Sequence, residues 1–420
     1  MRVVYTVLLY LLTPFVLLRL LWRSRELAGY RQRIGERFGL VPRPPQPIAV
    51  WVHAVSVGES LAALPLIRAL IERHGPGRVL VTTTTPTGSA RVCAALGDRI
   101  VHVYAPYDLP DVVARFLGRM RPQRVVVMET ELWPNLFRAL ARRRIPLIIA
   151  NARLSPRSFR GYGRVRGFTA STLADCTRIA AQSEADAQRF RALGAPAERI
   201  SALGNIKFDQ AVPEAQIAAG QALRGRLGAQ RPVWIAASTH EGEEDAALAA
   251  HRLLLQSRPD ALLILVPRHP QRFDAVARLV EKSGLSCTRR SAMDTAHPSR
   301  LAPHVLLGDS MGEMFMYFAA ADLAFVGGSL VPVGGHNVLE PAQLGKPVLF
   351  GQHMHNFVAA RDLLLEAGGG LQIDAAGLAA VLRSLLADTA RREAMGSAAR
   401  AAVAANRGAC DRLLALIEAA

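Results

Sequence analysis

The feature that most constrains this chain is a rhythm that runs twice. Apolar runs of strand length at 48–55, 79–83, 100–103, 124–128, 145–149 and 178–181 alternate with stretches of helical periodicity such as 61–72, 112–118 and 185–193. The rhythm lapses over 204–228 and restarts with VWIAAS at Val233, LLILVP at Leu262, VLL at Val305, LAFVGGS at Leu323 and PVLFG at Pro347. Runs apolar on both faces and separated by helices predict parallel, doubly wound sheets. The expected class is therefore α/β, with two Rossmann-like domains facing a cleft at the carboxyl ends of their strands, where open sheets bind ligands. Neither a G-x-G-x-x-G fingerprint nor a G-x-x-x-x-G-K-[ST] loop is present, which argues against a nicotinamide dehydrogenase or a P-loop ATPase.

Ahead of the first run, residues 3–18 carry no charge, and Arg19, Arg23, Arg25, Arg31, Arg33 and Arg37 follow. No small-x-small cleavage site appears, so the segment reads as a retained anchor, either spanning or lying in the interface. The basic flank predicts by the positive-inside rule that the rest of the chain is cytoplasmic. The expected boundaries are 1–40 for anchor and flank, 41–210 for the first domain, 211–230 for a linker, 231–388 for the second domain and 389–420 for a helical tail.

Charge divides along the same line. Residues 1–230 hold 33 basic and 15 acidic residues, and residues 231–420 hold 18 and 19. A basic first half suits an anionic membrane surface, an acidic substrate or nucleic acid. The apolar anchor, the 6% aromatic content and the lack of a helix-turn-helix, RRM or zinc-finger signature speak against nucleic acid. The four cysteines, Cys93, Cys176, Cys287 and Cys410, are far apart and never form C-x-x-C, so neither a disulfide scaffold nor a structural zinc is expected.

Several strand ends carry chemistry-bearing residues. In His53-Ala54-Val55-Ser56-Val57-Gly58-Glu59, the Ser56-x-x-Glu59 spacing is that of a capping box. A carboxylate there can also take a proton from an incoming hydroxyl, kept ionised by the positive end of the helix. Thr82–Thr85 and Glu129-Thr130-Glu131-Leu132-Trp133 end two further runs. In the second half, Pro267-Arg268 follows LLILVP, and the planar Arg268 fork suits a phosphate. Met311-Gly312-Glu313 offers backbone N–H groups at a helix start. Asn337-Val338-Leu339-Glu340 lies beneath a glycine-rich loop, where Glu340 suits paired ribose hydroxyls and Asn337-x-x-Glu340 is again cap-like. No D-x-D pair occurs, and His353 and His355 lack partners at ligand spacing, so no metal site is expected.

The ordered series HAVSVGE, TTTTPTGS, YAPYDLP, METELWPN, NARLS, GNIKFD, ASTHEGEE, VPRHPQRF, GDSMGEM, FVGGSL and GGHNVLEP resembles the 3-deoxy-D-manno-octulosonic acid (Kdo) transferases of Gram-negative bacteria. The resemblance covers almost the whole chain and implies the GT-B glycosyltransferase fold. It further implies inverting transfer of Kdo from CMP-Kdo to lipid IVA, the bisphosphorylated lipid A precursor, at the inner membrane. Glu59 would be the general base, and Pro267, Arg268, Met311, Gly312, Glu313, Asn337, Val338, Leu339 and Glu340 would hold CMP. No cofactor or metal is expected beyond the donor itself. CMP-Kdo, lipid IVA and anionic membrane lipids are the expected partners, with arginines 31, 33 and 37 facing the lipid. Other GT-B glycosyltransferases and nucleotide-sugar epimerases of similar fold are the competing enzyme readings.

Overall fold

Strand β1 (Val50–His53) is wholly buried, with Trp51 in the core on one face of its sheet and Val50 and Val52 in the core on the other. That two-sided burial explains why the sequence shows an unbroken apolar run there. The structure is a computed structural model and describes residues 1–25, 27–293 and 303–420. The expected second domain, 231–388, thus includes 294–302, which lie outside the described residues.

The chain divides into two compact units, residues 1–210 with 406–420, and residues 211–405. In the first, β1 is joined by β2 (Val79–Thr83), β3 (Val101–Tyr104), β4 (Arg124–Met128), β5 (Leu147–Ala152), β6 (Arg178–Ala181) and β7 (Ile200–Ala202). All pairings are parallel, in the order β3-β2-β1-β4-β5-β6-β7. The second unit repeats the plan with β8 (Val233–Thr239), β9 (Leu262–Pro267), β10 (Cys287–Arg289), β11 (Val305–Leu307), β12 (Leu323–Val326), β13 (Val348–Phe350) and β14 (Gly370–Gln372). Its order is β10-β11-β9-β8-β12-β13-β14, again all parallel. The order reverses between β1 and β4 in one sheet and between β8 and β12 in the other, which marks the strand ends where such sheets take ligands.

Two boundaries differ from those expected. Residues 211–230 are not a bare linker: they carry the helix Glu214–Leu227, which packs on the helix Met314–Ala320 of the second unit. Gly220 makes the packing possible, because a Cβ there would fall 2.5 Å from the Met316 carbonyl oxygen. Arg224 then pairs with Asp322 at 3.0 Å. The helical tail is also divided. Thr389–Ala405 stays with the second unit, whereas Ala409–Glu418 returns to the first, where Leu413 and Ile417 enter the core. Asp209 seats this return by accepting from the backbone N–H groups of Gly408 and Cys410, each at 2.6 Å.

The N-terminal segment forms the 22-residue helix Arg2–Arg23, long and apolar enough to cross a membrane. One stripe leans on the first unit: Arg2 pairs with Asp175 at 3.1 Å, and Tyr5 donates to Asp108 at 3.0 Å. Val3, Val7, Leu11, Phe15, Leu18 and Trp22 are exposed.

The basic flank does not all face outward. Arg37 is 3% exposed, stacks 4.3 Å from the Tyr104 ring centroid and donates to the Thr84 carbonyl at 2.9 Å. Arg33 lies over the same ring and pairs with Glu36 at 2.7 Å. The expectation that Arg37 meets lipid is corrected: an aromatic face and a backbone carbonyl hold it inside the protein, whereas Arg33 lies over the same ring and remains exposed.

Candidate functional site

In the first unit, β1 ends at His53 and the helix Val57–His74 begins four residues later. Ser56 is its N-cap, and Ser56 Oγ accepts from the Glu59 N–H at 3.2 Å. The Glu59 carboxylate turns back and accepts from the Val55 N–H at 2.8 Å. The capping geometry is therefore real, and it aims one carboxylate at the point where the strand order reverses. Burial pushes the Glu59 carboxyl above its ordinary range, with Glu129 and Glu131 adding to the rise, while the bonds from Ser56 and Val55 oppose it. The positive helix end by itself favours the ionised carboxylate; desolvation outweighs it.

The neighbours of Glu59 come from three strand ends. His53 Nδ1 lies 2.8 Å from Thr82 Oγ1, which also accepts from Trp51 Nε1 at 2.8 Å. Burial holds the His53 imidazole down to about 4, and its ring meets Trp133 edge-on at 4.8 Å. Trp133 donates to Glu131 at 3.0 Å, and Glu129 pairs with Lys207 at 3.1 Å. Glu129 has φ 55° and Asn151 φ 52°, left-handed values unusual for residues with a Cβ and frequent where a site imposes strain.

In the second unit, a pocket of about 330 Å³, its open mouth included, is lined by Pro267, Arg268, Met311, Gly312 and Glu313 together with Ser238, Ser310 and Tyr317. Five of the residues expected to hold CMP are thus assembled by the end of β9 and the loop after β11, with Ser238 of β8 beside them. Arg268 is exposed and makes no ion pair among the described residues. Glu313 accepts from Arg290 at 3.0 Å and from Ser310 Oγ.

The remaining four, Asn337 to Glu340, do not line this pocket. Asn337 Oδ1 accepts from the Leu339 N–H at 3.1 Å, and Asn337 Nδ2 donates to Glu340 at 3.1 Å, so the cap-like spacing closes a local turn ahead of the helix Leu339–Gln343, whose N-cap is Val338. Val338 and Leu339 bury their side chains, which leaves only their backbone for a ligand.

The structure adds residues that sequence reasoning passed over. Glu243 is wholly buried at the start of the helix Glu243–Leu255. It accepts from the backbone N–H groups of His240 (2.9 Å), Gly328 (2.7 Å), Ser329 (3.0 Å) and Leu330 (2.9 Å). It therefore ties the loop after β12 to the end of β8, across the reversal of strand order. Ser238, with φ 56°, and the histidines His240 and His336 lie at the same place. The ASTHEGEE motif was the available signal, but nothing in it marks which glutamate turns inward.

Two Rossmann-like units, each with polar side chains at its reversal point, define a GT-B type fold. UDP-GlcNAc 2-epimerase from Neisseria meningitidis shares that fold with a TM-score of 0.59 at 14% identity, covering 89% of this chain and 100% of its own. Residues 32–210 match the family described as 3-deoxy-D-manno-octulosonic-acid transferase (kdotransferase). The 3-deoxy-D-manno-octulosonic acid transferase of Haemophilus influenzae is 42% identical over 99% of this chain and 98% of its own length. That of Bordetella pertussis is 43% identical over 99% of both. The chain belongs to the Kdo transferase family and is a glycosyltransferase of lipopolysaccharide biosynthesis.

Proposed function

We propose that this protein transfers Kdo from CMP-Kdo to lipid IVA with inversion at the anomeric carbon, and that Glu59 is the general base. The observation that carries this reading is the Glu59 carboxyl itself, half-buried at the reversal point of the first sheet and held above the usual carboxylate range. A base with a raised pKa accepts a hydroxyl proton more readily than an ordinary carboxylate. The Val55 N–H fixes its orientation.

The second unit supplies the nucleotide site. Arg268 is available to the single phosphate of CMP, and the pocket beside it takes the nucleoside. Backbone groups at Asn337–Glu340 complete the donor contacts. The leaving group is a phosphate monoester, which departs as a stabilised anion, so the chemistry asks for neither a metal ion nor a separate cofactor. The catalytic units lie on the cytoplasmic side of the inner membrane, with the helix Arg2–Arg23 as anchor and the exposed arginines of its flank on anionic lipid.

Glu59→Gln tests the base. Removal of a general base is expected to lower kcat by about 10²- to 10⁴-fold with CMP affinity unchanged. Turnover of CMP-Kdo and lipid IVA by the purified protein, read by mass spectrometry of the glycolipid, measures the loss. Near-normal turnover would leave Glu59 as a helix cap and nothing more.

A further inference from the structure

Three histidines from separate loops meet at the reversal point of the second sheet. His240 follows β8, His269 follows β9 and His336 lies in the loop after β12. His240 Nε2 and His336 Nε2 are 2.8 Å apart with their rings nearly coplanar in orientation, 8° between planes. His269 meets His240 edge-on at 5.3 Å. Gly328 admits the pair: its φ is 66°, and a Cβ there would lie 2.9 Å from the His336 ring. The buried Glu243 carboxylate holds both sides, through the His240 and Gly328 N–H groups.

Resting on the reading of this unit as the donor-nucleotide domain, we propose that Arg268 and the His240–His336 pair form a subsite for the nucleotide phosphate, and that the pair takes up one proton from solvent as the phosphate binds.

At 2.8 Å one Nε2 carries a hydrogen and the other does not, so the pair holds a single shared Nε2 proton, and with no further proton on the donating ring both rings are neutral. The further proton can go to Nδ1 of the donating ring, which keeps the ring-to-ring bond and makes it charge-assisted. In the unliganded protein the surroundings oppose that step. Burial lowers His336 to about 4, helped by the charges of Arg268, His240 and His269. Burial likewise lowers His240, with His269, Arg268 and Arg272 in the same sense and the Glu243 carboxylate against it.

The other facing groups are largely spoken for. Arg272 pairs with Glu241 and Glu244, both at 3.2 Å, and His355 lies against Gly334 in the same glycine-rich loop. A phosphate dianion beside Arg268 reverses the balance: it neutralises the guanidinium that repels the second proton and accepts from the imidazolium it favours. Free and liganded states then differ in protonation, which a purely nucleoside-binding pocket would not produce.

Calorimetry of the full chain in detergent at pH 7.5, repeated in buffers of different ionisation enthalpy, reads the protons directly. CMP is expected to bind with uptake of roughly half to one proton, and cytidine with none. His336→Asn should abolish most of the uptake and weaken CMP about tenfold, as expected for one lost charge-assisted bond, with cytidine affinity unchanged as the check on folding. CMP binding without proton uptake, or with the same uptake in His336→Asn, overturns the subsite and leaves the donor assignment standing. Failure of both CMP and cytidine to bind the natural protein overturns the assignment and the subsite together.

Discussion

Glu243 shows how much one side chain can organise. Its carboxylate is fully enclosed yet meets four backbone N–H groups, which is how a buried charge is tolerated. Truncation to alanine would leave those donors unpaired at ~1–3 kcal/mol for each that finds no substitute. Glu243→Ala is accordingly expected to speed hydrogen exchange of the 328–330 amides by at least about tenfold and to lower CMP affinity, with exchange in β1 and β4 unaffected. Unchanged protection at those amides would mean that the loop holds itself. Glu59 is legible from the sequence because its partners are three and four residues away. The His240–His336 pair is not, because 96 residues separate its members and only the folding of β8 beside β12 brings them together.

Among elements, legibility followed burial. The central strands are buried on both faces and announce themselves as apolar runs. The runs at 48–55, 79–83, 124–128 and 178–181 overlap β1, β2, β4 and β6. The three strands with no recognised run are β7, β10 and β14, each three residues long at a sheet edge and only partly buried. A short edge strand packs less and pairs on one side only, so hydrophobicity marks it weakly; the longer edge strand β3 still shows its run at 100–103.

The N-terminal helix poses a related problem, since its charge pattern was readable but not which arginines remain outside. Arg19, Arg25 and Arg31 are exposed, whereas Arg37 is enclosed. Replacing those three exposed arginines by glutamine is expected to weaken binding to anionic vesicles about a hundredfold, at ~1 kcal/mol per arginine, and to leave binding to neutral vesicles unchanged. Arg37→Gln should instead lower the thermal midpoint. Equal partitioning of the triple variant and the natural protein onto anionic vesicles would remove these side chains from membrane attachment.

At the scale of the whole molecule, buried neutral histidines set the response to acid. Burial lowers His53, His251 and His336 each to about 4. A folded pKa below the unfolded value of ~6.5 means that the folded state binds fewer protons in between. The stability these groups contribute is complete above the unfolded value and is lost as pH falls towards about 4. Asp108 acts in the opposite sense, since burial raises it to about 6 and its contribution is lost as pH rises through that value.

His251 offers the cleanest test: its Nδ1 accepts from Trp234 Nε1 at 3.1 Å, and its Nε2 faces the His304 carbonyl at 2.9 Å. A proton on Nδ1 would oppose the indole N–H. Thermal unfolding between pH 7.5 and 4.5 is expected to show a shallower acid loss in His251→Gln, by up to ~3 kcal/mol, than in the natural chain. Parallel pH profiles for the two proteins would exclude His251 as a source of the slope.

The double α/β rhythm, the apolar N-terminal helix, the family and the capped carboxylate at Glu59 are all legible in the chain alone. Each is written in local spacing or in long motifs that survive without knowledge of the fold. Contacts in three dimensions were needed to see that residues 214–227 join the second unit, that the final helix returns to the first, that Arg37 is enclosed, and that Glu243 and two histidines build one corner of the second unit. These depend on contacts between residues distant in the chain, whose energies come from burial and shared hydrogen bonds and leave no periodic mark on the sequence.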